Sequence, residues 1–369
     1  EPLQPPYTHG FEYSDGWVDD ARLVVLNARD AAKHGAKVRT RTRADMLRCE
    51  DGLWVVDASC ANGHNYRFTG RSVVNAAGPA VLDLLKRADA EPDHAMRLVR
   101  GSHIVVRRLF RHDYAYFFQL PDGRIFFAIP YERDFTLIGT TDVDHDGPAS
   151  EARASDEEIA YLCEGATLYF REAITPADVV WTYSGVRPLI EDGSGRPEAA
   201  TRGYRIDLDL AEGAPLLTIY GGKITSYRHV AEAAVDELTG HVAALTGKRW
   251  TAKAPLPGGD FPVTGAAALK AELKLAHPFL TTDTVDRIVK AYGTDARRWL
   301  GDADSWDALG GEIAHGLSVA EAAWLVDQEW AQTADDILWR RSKLGLHFGA
   351  EDVAKLARWL AAKPGALEI

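Results

Sequence analysis

Residues 221–228 read Gly221-Gly222-Lys223-Ile224-Thr225-Ser226-Tyr227-Arg228, or GGKITSYR, between the apolar run PLLTIY and the segment HVAEAAVDEL. That order predicts a strand that turns sharply on two glycines into the start of a helix, with a lysine at the turn. Glycines in such a place let the backbone pass close to a flat ligand, because no side chain obstructs the approach. The new helix directs amide donors at the same point, and Lys223 can stabilise negative charge there.

Outward from this turn, residues 100–222 are mostly short runs rich in valine, isoleucine, tyrosine and phenylalanine: SHIVVRR, YAYFFQL, RIFFAIPY, FTLIGTTDV, VVWTYSGVRPLI, YRIDLDL and APLLTIYGG. Separated by turn residues, they predict a largely antiparallel sheet, interrupted by one helix at about residues 155–171. Further upstream, residues 17–34 carry apolar residues at helical spacing and stop at Gly35; AKVRTRT then reads as a strand. RCEDGLWVVDAS and NYRFTGRSVVNAAGP continue as strands broken at glycine and asparagine turns. Downstream, the helix after Lys223 ends near APLPGGDFP, whose prolines and glycines mark a linker. Residues 264–369 look all helical, and SVAEAAWLVDQEWAQTADDILWRR is their clearest amphipathic segment.

The bulk composition limits what such a chain can be. Its 369 residues, 46% hydrophobic and 26% charged, are enough for more than one globular domain. A net charge of -12 argues against a general nucleic-acid binder, whose affinity comes from a basic face. Cys49, Cys60 and Cys163 are odd in number and show no CxxC spacing, so neither a disulfide framework nor a metal site is indicated, and a reduced, cytoplasmic-side compartment fits. No apolar run approaches the length of a membrane-spanning helix, and the opening EPLQPPYTHG lacks the pattern of a secretion signal.

Singly, the candidate chemical motifs are modest. SVVNAAGPA ends a strand in small residues and, alone, reads as a tight turn. RGSHIVV puts His103 at a strand start; a lone histidine is more often structural, and its interest is a side-chain pKa near neutrality. YSGVRPL presents Arg187 between a glycine and a proline, where a guanidinium suits bidentate phosphate or carboxylate recognition, although an ion pair is the default for one arginine. IGTTDVD supplies Thr140, Thr141 and Asp142 after a glycine, most simply as a turn.

Together the motifs say more. WTYSGVRPL, IGTTD, RGSHIVV, VNAAGP and GGKITSYR, in the order they hold in this chain, resemble the FAD-dependent, quinone-linked glycerol-3-phosphate dehydrogenases. GFEYSDGWVDDARLV and EWAQTADDILWRR look like the same family, so the resemblance covers nearly the whole chain. It implies a mixed α+β and α/β flavoprotein of the glutathione-reductase and amino-acid-oxidase type, with an antiparallel substrate domain and an all-helical C-terminal cap. The expected boundaries are 1–99 for the remainder of the FAD domain, 100–222 for the substrate domain, 223–254 for the return to the FAD domain and 255–369 for the cap. The implied reaction oxidises sn-glycerol 3-phosphate to dihydroxyacetone phosphate, with hydride transfer to FAD and electrons passed to a quinone or another acceptor. The implied location is the inner face of the cell membrane, peripherally held, with a homodimer as an open assembly.

The same resemblance assigns residues. His103 would remove the hydroxyl proton, Arg187 and Arg202 would hold the phosphate with Thr140 and Tyr183 beside the substrate, and Lys223 would lie near flavin and substrate. Asn75, Ala77, Gly78 and Pro79 would approach FAD from one strand end, and Gly221, Gly222, Ile224 and Thr225 from the other. One departure stands out. The family opens with a strand, GxGxxG and helix that seat the FAD pyrophosphate, together with a further substrate-side arginine, and this sequence contains neither. The chain is therefore expected to correspond to the C-terminal two-thirds of the enzyme and, alone, to bind no FAD and show no activity. Two alternatives stay open: an FAD-dependent amine or amino-acid oxidase of the same fold, and a non-catalytic substrate-plus-cap fragment.

Overall fold

The computed structural model describes residues 2–191, 202–211 and 213–363. The chain forms two compact units, one of Glu1–Ser14 with Thr42–Arg249 and one of Asp15–Arg41 with Trp250–Ile369.

The first unit opens with an antiparallel meander of β1 (Thr42–Glu50), β2 (Leu53–Cys60) and β3 (Asn65–Gly70). The strand expected over AKVRTRT is absent; pairing begins only at Thr42, because Arg41 adopts a φ of 54°, a left-handed conformation no ladder accommodates. A short strand, β4 (Val73–Asn75), then runs into a 3₁₀ turn at Gly78–Ala80 and helix α2 (Val81–Arg87).

The main sheet has six strands: β5 (Met96–Arg107), β6 (Tyr116–Gln119), β7 (Ile125–Tyr131), β8 (Phe135–Gly139), β9 (Val143–Asp144) and β10 (Val179–Ile190). Its order is β10-β5-β8-β7-β6, with β9 also on β5, and every pairing is antiparallel, as the alternating runs predict. Successive side chains on a strand face opposite ways. One face carries Ile104, Val106, Phe126, Ala128 and Ile138, which pack on Leu162, Cys163, Ala166 and Phe170 around helix α3 (Asp156–Tyr169).

β11 (Tyr204–Ala211) and β12 (Ala214–Gly221) do not extend this sheet, although the sequence groups them with it. They form a hairpin whose β12 pairs in parallel with β4, Thr218 opposite Asn75. The reason is burial: Leu216 and Tyr220 join Leu47, Trp54, Val81 and Leu85 in one cluster, and Trp54 Nε1 donates to the Pro215 carbonyl at 3.0 Å. Helix α4 (Tyr227–Thr239) lays Ala234 and Leu238 on Leu217.

In the second unit, α5 (Ala266–Ala276), α6 (Thr282–Tyr292), α7 (Ala296–Leu300), α8 (Val319–Glu329) and α9 (Ala350–Ala362) enclose one apolar cluster that includes Leu273, Ile288, Leu325 and Leu356. Two features depart from the all-helical expectation. A small hairpin of β13 (Glu312–Ala314) and β14 (Leu317–Ser318) precedes α8, and the long amphipathic segment breaks at Trp330, φ 56°, before a π-helical turn at Asp336–Arg341. Helix α1 (Asp20–Lys33), which the sequence reading places with residues 42–99, belongs to this unit. Its attachment is electrostatic: Arg22 grips the fully buried carboxylate of Glu329 through both terminal nitrogens, Nη2 to Oε1 at 3.0 Å, and Arg29 reaches Asp295 at 2.9 Å. A second buried carboxylate, Glu321, accepts from Arg287 Nη2 at 2.7 Å and from the Tyr292 hydroxyl at 2.7 Å; burial first, then the Glu321 charge, pushes that phenol's pKa upward.

Removing one member of a buried ion pair strands the other without water. Glu329→Ala is expected to lower the unfolding free energy by about 3–5 kcal/mol, measured by urea denaturation, whereas Arg43→Ala, which removes an exposed pair with Asp45, should leave it nearly unchanged.

Candidate active site

The face of the main sheet opposite α3 collects the predicted substrate residues. In the antiparallel register His103 on β5 lies between Tyr183 on β10 and Gly139 on β8, and Gly101 lies opposite Gly185. Alternation therefore turns Gly101, His103, Gly139, Tyr183, Gly185 and Arg187 to one side. Two of the glycines are there because side chains lie over them. A Cβ on Gly139 would stand 2.2 Å from His103 Cδ2, and one on Gly101 would stand 2.4 Å from the Arg187 guanidinium nitrogens. The His103 ring stacks on Tyr183, centroids 4.8 Å apart and planes 6° from parallel, with Trp181 next at 5.2 Å.

Arg187 is gripped by the turn after β8. Its Nη2 donates to Thr140 Oγ1 at 3.0 Å, and its Nη1 donates to Asp142 Oδ1 at 3.0 Å and to the Thr141 carbonyl at 3.4 Å. Arg202 Nη2 lies 3.9 Å from the same Asp142 oxygen, so one carboxylate faces two guanidinium groups. Burial lowers the Arg187 pKa, Asp142 raises it and Arg202 lowers it. The IGTTD segment is thus the framework that aims Arg187, and Asp142, which the sequence reading left as a turn residue, is a member of the site.

Burial, and after it the positive charge of Arg187, drive the His103 pKa from 6.5 to about 4. The near-neutral value expected from residue type alone is thereby corrected. The imidazole stays uncharged at physiological pH, which is the state able to accept a proton, and its Nδ1 is buried without a hydrogen-bond partner among the described residues.

The predicted cofactor residues form a second group. Because β4 and β12 run in parallel, their carboxyl ends lie side by side, the position at which open α/β sheets bind ligands. At the first end the buried Asn75 donates from Nδ2 to the Val81 carbonyl at 3.0 Å and accepts from the Ala77 amide at 3.3 Å, which fixes the turn through Ala77, Gly78 and Pro79. At the second, Gly221 and Gly222 have φ of 71° and 96°, so both need the left-handed freedom of glycine. The Gly222 amide donates to the Gly203 carbonyl at 2.9 Å, and a Cβ on Gly221 would stand 2.6 Å from that oxygen. Ile224 and Thr225 are exposed in the 3₁₀ turn Ile224–Ser226, and Lys223, its N-cap, is exposed with a φ of -115°. Gly78 also has a positive φ, 56°, and a Cβ there would meet nothing within 4 Å. Together the two glycine turns could take a flat ring across adjacent strand ends, and Arg202, one residue before Gly203, links this group to Asp142 and, through it, to Arg187.

This fold and site define a flavin-dependent oxidoreductase, and the comparisons agree. The sequence profile of the FAD-dependent oxidoreductases matches residues 1–228, and that of the C-terminal domain of alpha-glycerophosphate oxidase matches residues 249–362. The chain is 41% identical over 361 residues to the aerobic glycerol-3-phosphate dehydrogenase of Escherichia coli K12, covering 97% of this chain and 72% of that protein. It is 42% identical to the glycerol-3-phosphate dehydrogenase of Pseudomonas aeruginosa, 98% and 71% covered, and 41% identical to the D-erythritol 1-phosphate dehydrogenase of Brucella abortus, 97% and 72% covered. In structure it resembles the glycerol-3-phosphate dehydrogenase of Bacillus halodurans solved with FAD, with a TM-score of 0.76 and 25% identity over 95% of this chain and 71% of that one. The chain belongs to the FAD-dependent glycerol-3-phosphate dehydrogenase family.

Among the described residues no helix is long and apolar enough to cross a membrane. A histidine whose folded pKa lies below its unfolded one binds fewer protons in the native state, so its contribution to stability is present above 6.5 and is lost as pH falls towards about 4. The His103 resonances in an NMR titration are expected to move with a midpoint near 4, and Arg187→Gln should raise that midpoint. A midpoint near 6.5 would show the ring to be solvated.

Proposed function

We propose that the protein oxidises sn-glycerol 3-phosphate to dihydroxyacetone phosphate on the His103 and Arg187 face of the main sheet. The observation that carries this reading is a charged, half-buried guanidinium aimed by Asp142 and Thr140 beside an uncharged imidazole. Arg187 binds the phosphate through parallel charge-assisted bonds, with Arg202 as the second cation. Thr140 and Tyr183 border the carbon chain. His103 accepts the C2 hydroxyl proton, so that the carbonyl forms as the C2 hydrogen departs as hydride. The phosphate's negative charge offsets the Arg187 charge that holds protons off His103, so binding prepares the base. FAD, when bound, would supply the hydride acceptor. Asn75, Ala77, Gly78 and Pro79 on one side, and Gly221, Gly222, Ile224 and Thr225 on the other, would hold its ring, and Lys223 would offset negative charge developing between ring and substrate.

A quinone is the proposed electron acceptor, at the inner face of the cell membrane, where the protein sits peripherally, as a homodimer in one arrangement. The relative described as aerobic supports a respiratory acceptor. The D-erythritol 1-phosphate dehydrogenase, as similar as the glycerol-3-phosphate enzymes, makes a longer polyol phosphate the competing substrate, and kcat/KM for the two phosphates in a dye-reduction assay decides between them.

Replacing Arg187 by lysine removes the planar fork and keeps the charge. KM for glycerol 3-phosphate should rise at least about tenfold in a chain joined to the family's N-terminal FAD segment and loaded with FAD, with glycerol, which has no phosphate, affected much less; equal losses would make Arg187 structural. Lys223→Met should cut kcat at least about tenfold, or about 1.4 kcal/mol of transition-state stabilisation, and unchanged turnover would remove Lys223 from the chemistry.

A further inference from the structure

Beneath the site face, on the α3 side of the same strands, lies a buried carboxylate that none of the chemistry above uses. Glu158 stands in the first turn of α3 and is 5% exposed. Its Oε2 accepts from the Ser155 amide at 3.0 Å, completing a capping box with the Ser155 hydroxyl, and meets Arg100 Nη2 at 2.8 Å. A cap requires no more than that. Its Oε1 is committed elsewhere: it accepts from Thr141 Oγ1 at 2.6 Å and from Ser102 Oγ at 2.9 Å, while Thr141 Oγ1 accepts from the Ser102 amide at 2.9 Å. Ser102 Oγ also lies 2.8 Å from Ser184 Oγ on β10.

The neighbours of these partners give the arrangement its meaning. Ser102 immediately precedes His103, Thr141 stands between the two residues that aim Arg187, and Ser184 follows Tyr183. The turn after β8 has no ladder of its own at this point, since β8 ends at Gly139 and β9 begins at Val143. Its register against β5 rests on Thr141, through a long backbone bond from its amide to the Ser102 carbonyl at 3.4 Å and through the shorter hydroxyl bonds to Ser102 and Glu158. Burial alone would raise the Glu158 pKa, but hydrogen bonds from Thr141, Ser155, Ser102 and Arg100 outweigh it and hold the group ionised.

We propose that Glu158 is a positioning residue that locks the Thr140–Asp142 turn to the His103 strand and so sets the aim of Arg187 at the substrate phosphate. The inference rests on the reading of Arg187 as the phosphate clamp. Glutamine in its place presents an amide NH₂ where one oxygen now receives two donors, so either the Ser155 and Arg100 side or the Ser102 and Thr141 side loses its acceptor.

The test measures competitive inhibition by inorganic phosphate in a chain joined to the family's N-terminal FAD segment and loaded with FAD, direct phosphate binding by calorimetry, and thermal midpoints, for wild type, Glu158→Gln, Thr141→Val, Thr141→Ser and Arg187→Lys. Glu158→Gln and Thr141→Val are expected to weaken phosphate about fivefold or more, the scale of one unsatisfied buried hydrogen-bonding group. Thr141→Ser, which keeps the hydroxyl, should retain wild-type phosphate affinity, and kcat/KM should fall further for glycerol 3-phosphate than for glycerol in the two impaired variants. If Arg187→Lys weakens phosphate while Thr141→Val does not, the positioning role is overturned and the clamp stands. If Arg187→Lys leaves phosphate affinity unchanged, the clamp falls and the inference with it. Equal losses for glycerol and glycerol 3-phosphate in Thr141→Val would reduce Glu158 to a helix cap, and that variant decides the matter if Glu158→Gln does not fold.

Discussion

The site depends on one geometric constraint, the period of two along β5, β8 and β10. Because alternate residues of an antiparallel sheet face opposite sides, three adjacent strands present His103, Tyr183 and Arg187 to one side and Ser102, Ile104 and Ser184 to the other. The first set forms the candidate site and the second faces α3. Glycines at 101 and 139 then lower the floor under Arg187 and His103, so that guanidinium and ring lie along the sheet rather than standing off it. A side chain held flat against a sheet loses few rotamers when substrate arrives, which is the physical content of preorganisation.

Charge follows from the same packing. A guanidinium close to an imidazole in a poorly solvated place repels the second proton, and Asp142 keeps Arg187 charged and oriented without cancelling it, since two cations face its single carboxylate. Asp142, Arg187 and Arg202 together carry a surplus of positive charge. In the helical unit the buried carboxylates Glu329 and Glu321 are each met by arginine, Arg22 on the first and Arg287 on the second, in pairs that join helices.

Much of this was legible in the residues. The strands of residues 96–190 announced themselves by alternation, and the glycine turns at 78 and 221–222 by composition, because backbone freedom of that kind has one residue type. Other features were not legible. AKVRTRT alternates like a strand, yet only its last residue, Thr42, joins a ladder, since Arg41 takes a conformation that the local pattern does not encode. Asp142 reads as a turn residue because its partners, Arg187 and Arg202, are 45 and 60 positions away along the chain. Glu158 carries a visible signal, SDEE as a capping box, but that signal accounts for one carboxylate oxygen and conceals the other. The His103 pKa could not be read at all, because residue type gives the solution value and burial decides the shift.

β10 has one further implication, for how such proteins can diverge. Over twelve residues it carries Tyr183 and Arg187 on one face and Ser184 on the other, its register irregularity lies at the very start, between Val179 and Trp181, and its last residue packs beside Gly221. Inserting or deleting a single residue just beyond Trp181 would exchange the two faces, turning Arg187 to the α3 side and Ser184 to the side of His103. Length variation among descendants is therefore confined to the strand's ends and to the connections beyond them, while substrate range can drift by substitution at Gly185, where a side chain would meet nothing within 4 Å.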